Sequence, residues 1–468
     1  MRITKGILCL ALMLLLAAGC ADRQTPTKAD YVFENVNIVP MNEETVLLNQ
    51  AVAVRENEIV AIIDQSSADN IQAATRIDGA GRFLMPGLAD MHMHMRMDPQ
   101  AAFNVLLANG VTTITNMGLA DGGGKFDHLQ LRADVAAGRM DGPRYLVSGP
   151  QLTAEELPTV ADVEPMLDDH VEQGYDVVKV HGDLSMDVYD ALIEGARERG
   201  LRVTGHSQHQ MPLSQSLRMD SIEHVEEFVY VSRDGFGEIA ADFFEFMPTY
   251  YSHVEQMADP EFRVPIVRDV AASGVYIDAT LIIYKMISIW IDDDRFAKLH
   301  DDELLAYLPK STLDRWLHSE TNPYRNRVPG FPLSVEHLEA NIEIFSALIF
   351  ELHEAGVPLL LGTDSFGTLV PGFSIHRELE LMVAAGLTPY EALRTGTVNV
   401  AAYLDEIDTA GTIEVGKRAD FILVEENPLT DIRHVSNVQG VFKQGKWHSA
   451  IALARMLAEA KLLSASTD

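Results

Sequence analysis

The sequence predicts an α/β fold: a (β/α)₈ TIM barrel with a small, discontinuous β-sandwich domain built from both chain ends. Two observations carry this. Between residues 85 and 404, β-branched or apolar runs alternate with helical patterns, as in βα units around a parallel sheet. Short β-rich runs separated by turn residues occupy the regions on either side. A composition of 47% hydrophobic and 22% charged residues over 468 positions is globular and supplies a large core.

In chain order, Arg2 and Lys5 precede the apolar run Ile7 to Ala18. That run is shorter than the ~20 residues a membrane-spanning helix needs, so residues 1–19 read as a signal peptide. Leu16-Ala17-Ala18-Gly19-Cys20 resembles a bacterial lipobox, which implies export to the periplasmic side and a lipid anchor on Cys20. Ala21 stands where an aspartate retains some lipoproteins at the inner membrane, which favours the outer membrane. An ordinary cleaved signal is the alternative. Residues 20–30 are polar and suit a tether. Cys9 and Cys20 are the only cysteines, so the folded body has no disulfide, thiolate ligand or cysteine nucleophile.

Residues 31–84 form the first part of the sandwich, with strands expected at Val32–Val39, Ala51–Arg55 and Ile59–Ile63. Its second part, 405–449, returns with Ala419–Val424 and Val438–Phe442, and 450–468 form a C-terminal helix or tail. The barrel strands expected in 85–404 are Leu88–His94, Val111–Asn116, Arg144–Ser148, Val177–His181, Val203–His206, Ser221–His224, Val275–Thr280 and Leu359–Asp364. Helices such as Ala101–Asn109, Met186–Arg199 and Leu338–Ala355 each end just before a glycine. After the seventh strand, residues 281–336 form an insertion with Trp290, Trp316 and two acidic runs. It leaves the barrel face that carries active sites, so it reads as a lid or specificity element, with a peripheral helical elaboration as the alternative.

Lysine plus arginine number 36 against 69 aspartate plus glutamate, a net charge of −33, which excludes nucleic acid as a natural partner and otherwise reads as a solvated acidic surface that names no substrate.

His92 and His94 lie two apart on the first barrel strand, so its period of two points both to one side near its C-terminal end. His206, His224 and Asp364 fall at the ends of the fifth, sixth and eighth strands. Lys179 sits inside the apolar strand Val177–His181, where desolvation frees its amine to capture CO₂ as a carbamate; pairing with a nearby carboxylate is the alternative.

With these residues in place, the sequence resembles the amidohydrolase superfamily, in the branch of imidazolonepropionase-like enzymes and metal-dependent prolidases and dipeptidases. The resemblance rests on Pro86 to His94, Gly110-Val111-Thr112-Thr113, Lys179, Gly205-His206, Ile222-Glu223-His224, Gly362-Thr363-Asp364, and the tail Gly411 to Asp420 with Asn427-Pro428-Leu429. It implies two divalent metal ions, zinc by default, with Mn²⁺, Co²⁺ or Fe²⁺ also acceptable. His92, His94 and Asp364 would hold the more buried ion, His206 and His224 the more exposed one, and carboxylated Lys179 would bridge them. Asp364 would act as general base and then general acid while a shared, metal-activated water attacks an amide.

The implied substrate is a dipeptide or N-acyl amino acid. A cyclic amide, lactone or phosphoester, or a non-catalytic metal-binding lipoprotein, are the alternatives. His181, His209, Glu227, Tyr230 and Tyr284 are the candidate substrate contacts. Prolidase-like members tend to carry tyrosine where this chain has Glu227.

Overall fold

The computed structural model describes residues 27–118, 126–230, 256–326 and 334–466. The signal and lipobox, the first part of the tether, the side chain of Tyr230 and residues 327–333 of the insertion lie outside them.

The N-terminal strands are β1 (Thr27–Ile38), β2 (Leu47–Arg55), β3 (Glu58–Asp64), β4 (Ile71–Asp78) and β5 (Phe83–Pro86). The barrel follows as β6 (Leu88–Met93), β7 (Val111–Asn116), β8 (Arg144–Leu152), β9 (Val177–Val180), β10 (Arg202–Gly205), β11 (Ser221–Glu223), β12 (Tyr276–Asp278) and β13 (Leu359–Leu360). β14 (Phe421–Val424), β15 (Val438–Lys443) and β16 (Lys446–Ser449) return to the first sheet.

β6 to β13 pair in sequential order as parallel neighbours. Between first and last strand the closure is made by single bonds: Met91 N–H donates to Leu361 O at 2.8 Å and Thr363 N–H to His92 O at 3.1 Å. This is the (β/α)₈ barrel expected from the alternating pattern.

The terminal domain is one hydrogen-bonded sheet ordered β16-β15-β14-β5-β1-β2-β3, with β4 branching from β1. The small β domain expected from both chain ends is thus built as a single branched sheet. β1 is long and bulged between Phe33 and Ile38, so its first part pairs with β4 and its end with β5. It also begins at Thr27, inside the stretch expected to be tether. The two chain ends join because β14 pairs antiparallel with β5, and Phe33 meets Phe421 edge-on at 4.9 Å.

The insertion is helical, beginning with Leu281–Ile291, and Trp290 packs on Trp316 at 4.5 Å between ring centroids. Its first helix is anchored by Glu378, whose buried carboxyl accepts from Leu281 N at 3.0 Å and Ile282 N at 2.7 Å. Burial pushes Glu378 from 4.5 up to about 8. The folded carboxyl therefore keeps a proton that the unfolded chain has lost, so its contribution is full below pH 4.5 and falls as pH rises to about 8. Glu378→Gln is expected to remove a slope of up to about 1.4 kcal/mol per pH unit across that window, read from urea unfolding of both proteins at a series of pH values.

Candidate metal centre

The site lies at the C-terminal ends of the barrel strands. All residues of β6 are buried, and Asp90 and His92 share its inner face. The Asp90 carboxylate accepts from Thr363 N at 3.1 Å and Thr363 Oγ1 at 2.7 Å, so β6 holds the segment after β13 in register. Burial raises Asp90 to about 7 against those hydrogen bonds. Asp364 then donates its N–H to His92 O at 2.6 Å and takes a left-handed φ of 43°, which turns its side chain into the strand ends.

His94 Nε2 stands 3.1 Å and His92 Nε2 3.6 Å from Asp364 Oδ1. Burial acts to raise Asp364, and the interactions of its neighbours, led by the hydrogen bond of His94, outweigh it and hold the carboxyl below its ordinary value.

His224 follows β11 with φ at 71°, and its Nδ1 lies 2.7 Å from Thr280 Oγ1, which leaves Nε2 to face the cluster. Its ring is 4.8 Å from that of His92 and 4.9 Å from that of His206. His206 is placed by Gly205, where a Cβ would lie 1.8 Å from Val180 O, an approach only glycine permits. Burial, then the charge of Lys179, lowers His92 and His206 well below 6.5. Burial lowers His224 to about 3. These histidines are therefore neutral, the form that ligates metal.

Lys179 is fully buried on β9, and burial lowers it to about 7. Its Nζ contacts the Glu223 carboxylate, whose Oε2 lies 3.6 Å from His92 Nδ1. Glu223 is thus a member of the cluster that residue patterning missed. Asp278, buried on β12 and raised well above 3.8 by that burial, is another; Gly362 leaves room for its carboxylate, which a Cβ there would meet at 2.2 Å.

Two donor sets, His92-His94-Asp364 and His92-Glu223-His224, each keep their ligand atoms within 4.8 Å of one another. His92 Nδ1 is buried without a hydrogen-bond partner. A buried, neutral nitrogen facing carboxylates is the donor set that divalent metals take, so the residues present fit such an ion.

The substrate-contact candidates divide. The His181 ring lies 4.6 Å from His206. Glu227 is buried, and its carboxylate accepts from Ser207 N at 2.9 Å, bonds His209 Nε2 at 2.6 Å and lies 3.3 Å from His206 Nδ1. Glu227, held by His209 and Ser207, therefore orients His206. Burial opposes charge on His209, and the charge and hydrogen bond of Glu227 overcome it and raise the imidazole. Tyr284 is a core residue, its ring packed on Phe345 at 4.8 Å. Glu227→Ala is expected to weaken metal binding about 10–100-fold, measured by competition with a chelator.

A cavity of about 450 Å³ opens from His94 and runs under the insertion, lined by Leu308, Thr312 and Trp316 on one side and Ser365, Phe366 and Leu369 on another.

A sequence profile of the amidohydrolase family matches residues 83–448, most of the chain. The chain belongs to the amidohydrolase family. This amidohydrolase is 44% identical over 66 residues to adenine deaminase 2 of Shouchella clausii, covering 14% of this chain and 12% of that one. It is 31% identical over 101 residues to imidazolonepropionase of Fusobacterium nucleatum, covering 20% and 24%. The matched stretches thus span a quarter or less of these curated relatives. A crystal structure of a Xaa-Pro dipeptidase superposes with a TM-score of 0.61 at 17% identity, covering 90% of this chain and 99% of that one, a likeness of fold.

Proposed function

We propose that this amidohydrolase is a metal-dependent hydrolase of an amide bond in a dipeptide or N-acyl amino acid. The observation that carries the proposal is the meeting of His92, His94 and Asp364 at 3.1–3.6 Å with the His224 and His206 rings beside them, all at strand ends. His92, His94 and Asp364 would hold one divalent ion, and His206 and His224 a second. Zinc is the default, and Lys179 as its carbamate would lie between the two. When bound, such ions polarise a carbonyl and bring water towards ionisation at neutral pH.

The chain's own residues do the rest. Asp364, kept ionised by His94, accepts a proton at Oδ1 from the attacking water and returns it to the leaving nitrogen. Thr280 and Glu227 fix the rings of His224 and His206 so that Nε2 faces inward. The insertion, with Leu308, Thr312 and Trp316 on the cavity wall, shapes the pocket that orients the substrate.

A panel of dipeptides, N-acyl amino acids, lactones and phosphoesters, offered to metal-replete protein, tests this. Amide cleavage is expected, and cleavage of lactones or phosphoesters alone would overturn it. Attachment through a lipidated Cys20 to the outer membrane belongs to the same reading, supported by the lipobox-like Leu16 to Cys20. Cys20→Ser is expected to move the protein from the membrane to the soluble fraction of cells.

A further inference from the structure

The C-terminal helix, Ala450–Ser466, joins three parts of the molecule. It follows directly on β16, so its start is fixed by the terminal sheet. Further along, Glu459 meets the first barrel helix, Pro99–Ala108, where Asn104 Nδ2 donates to Glu459 Oε2 at 3.4 Å. Its 17 residues span about 25 Å at a rise of about 1.5 Å each, which carries the far end to the insertion. Leu453, Met456, Ala460 and Ser464 are its buried residues, and they recur at helical spacing along one face. The first three share a core with Leu305, Tyr307 and Leu308 of the insertion.

Ser464 ends that apolar face with a fully buried hydroxyl, a group that is costly to bury unless it is hydrogen-bonded. Its Oγ donates to Tyr307 O at 2.6 Å. Tyr307 closes the short helix Glu303–Tyr307, and the last carbonyls of a helix have no partner within it. Three residues before Ser464, Lys461 Nζ stands 4.8 Å from the centre of the Tyr307 ring, a cation on an aromatic face. Phe373 meets the same ring at 5.3 Å. Leu308 follows at once, and with Thr312 and Trp316 it lines the cavity that opens from His94. The wall segment therefore starts from a residue gripped by the C-terminal helix. Its other end is held inside the insertion, where Trp316 packs on Trp290 and Trp316 O accepts from Asn322 Nδ2 at 2.9 Å.

We propose that Ser464 and Lys461 are positioning residues for the substrate pocket: through Tyr307 they hold the segment Leu308 to Trp316 in place as the cavity wall. Neither residue lines the cavity, so both act on a substrate only through the wall they hold. A wall displaced by about 1 Å is enough to spoil the alignment of a bound substrate. The inference rests on the amide-hydrolase reading for what the pocket binds. It gives the C-terminal helix a share in substrate selection from outside both the barrel and the insertion.

The double variant Ser464→Ala/Lys461→Met of the metal-replete protein tests this. Trp447→Phe, in the terminal sheet, serves as the common background and leaves Trp290 and Trp316, both in the insertion, as the only tryptophans. Acrylamide quenching of their fluorescence is expected to rise at least about twofold as the wall loosens. KM for a cleaved amide is expected to rise at least about fivefold, the worth of one buried hydrogen bond, with kcat and metal content unchanged. Ser464→Ala alone, a milder change, is expected to shift both readouts the same way. Unchanged quenching would overturn the proposal. So would quenching that rises while KM stays constant, which would separate the wall from the pocket and leave the hydrolase reading standing. A loss of metal or of kcat at constant KM would also overturn it, making the helix a general stabiliser of the fold. If no amide is cleaved, the hydrolase reading fails, and quenching alone decides whether the helix holds the wall.

Discussion

Asp364→Asn is expected to lower kcat for amide hydrolysis by roughly 10²–10⁴-fold, the usual range for a positioned acid-base group. The effect should be in kcat more than in KM, because the lost function is proton transfer and not substrate binding. The carboxamide keeps the volume and one ligating oxygen but has no charge with which to take a proton. The backbone supports this separation: the Asp364 N–H to His92 O bond and the turn at φ 43° do not depend on the side-chain charge. The fold should therefore survive, with an unchanged melting temperature as the control. A variant with wild-type kcat would remove Asp364 from the proton path.

The second large effect is expected at Lys179. Its amine is fully buried, lowered to about 7 by that burial, and meets the Glu223 carboxylate. At neutral pH a substantial fraction is therefore uncharged and nucleophilic towards CO₂. Lys179→Met keeps the length and apolar stem, so packing on β9 changes little, but it removes the amine from which the proposed carbamate would form. Metal content is expected to fall below two ions per chain and activity by at least about 10²-fold. Growth or exchange in ¹³C-bicarbonate should give a carbamate carbon signal in the wild type and none in the variant. A variant that still binds two ions would leave Lys179 as the ammonium partner of Glu223.

The barrel was legible because β-branched or apolar runs alternate with helical patterns along residues 85–404. The terminal domain was legible as β-rich, but its branching depends on the bulge in β1, which no periodicity encodes. Among site residues, the histidines could be placed because the strand period assigns them a face. Glu223 was missed for the same reason: strict alternation puts it opposite His224. Only the left-handed turn at His224, φ 71°, brings both into one cluster. Asp90 and Asp278 carried the signal that singled out Lys179, an ionisable group inside an apolar strand, and it was not applied to them. Tyr284 packs on Phe345 and the Glu227 carboxylate lies against His206, placements set by tertiary contacts that no local pattern in the sequence records.

The central claim is that amide hydrolysis depends on metal held by this cluster. Its most direct test is titration of metal-stripped protein with Zn²⁺ while following hydrolysis of an N-acyl amino acid. The account predicts no activity without metal and a rise that breaks at two equivalents per chain. Full hydrolysis by the metal-free protein, or none by a protein carrying two ions across a panel of amides, would contradict it.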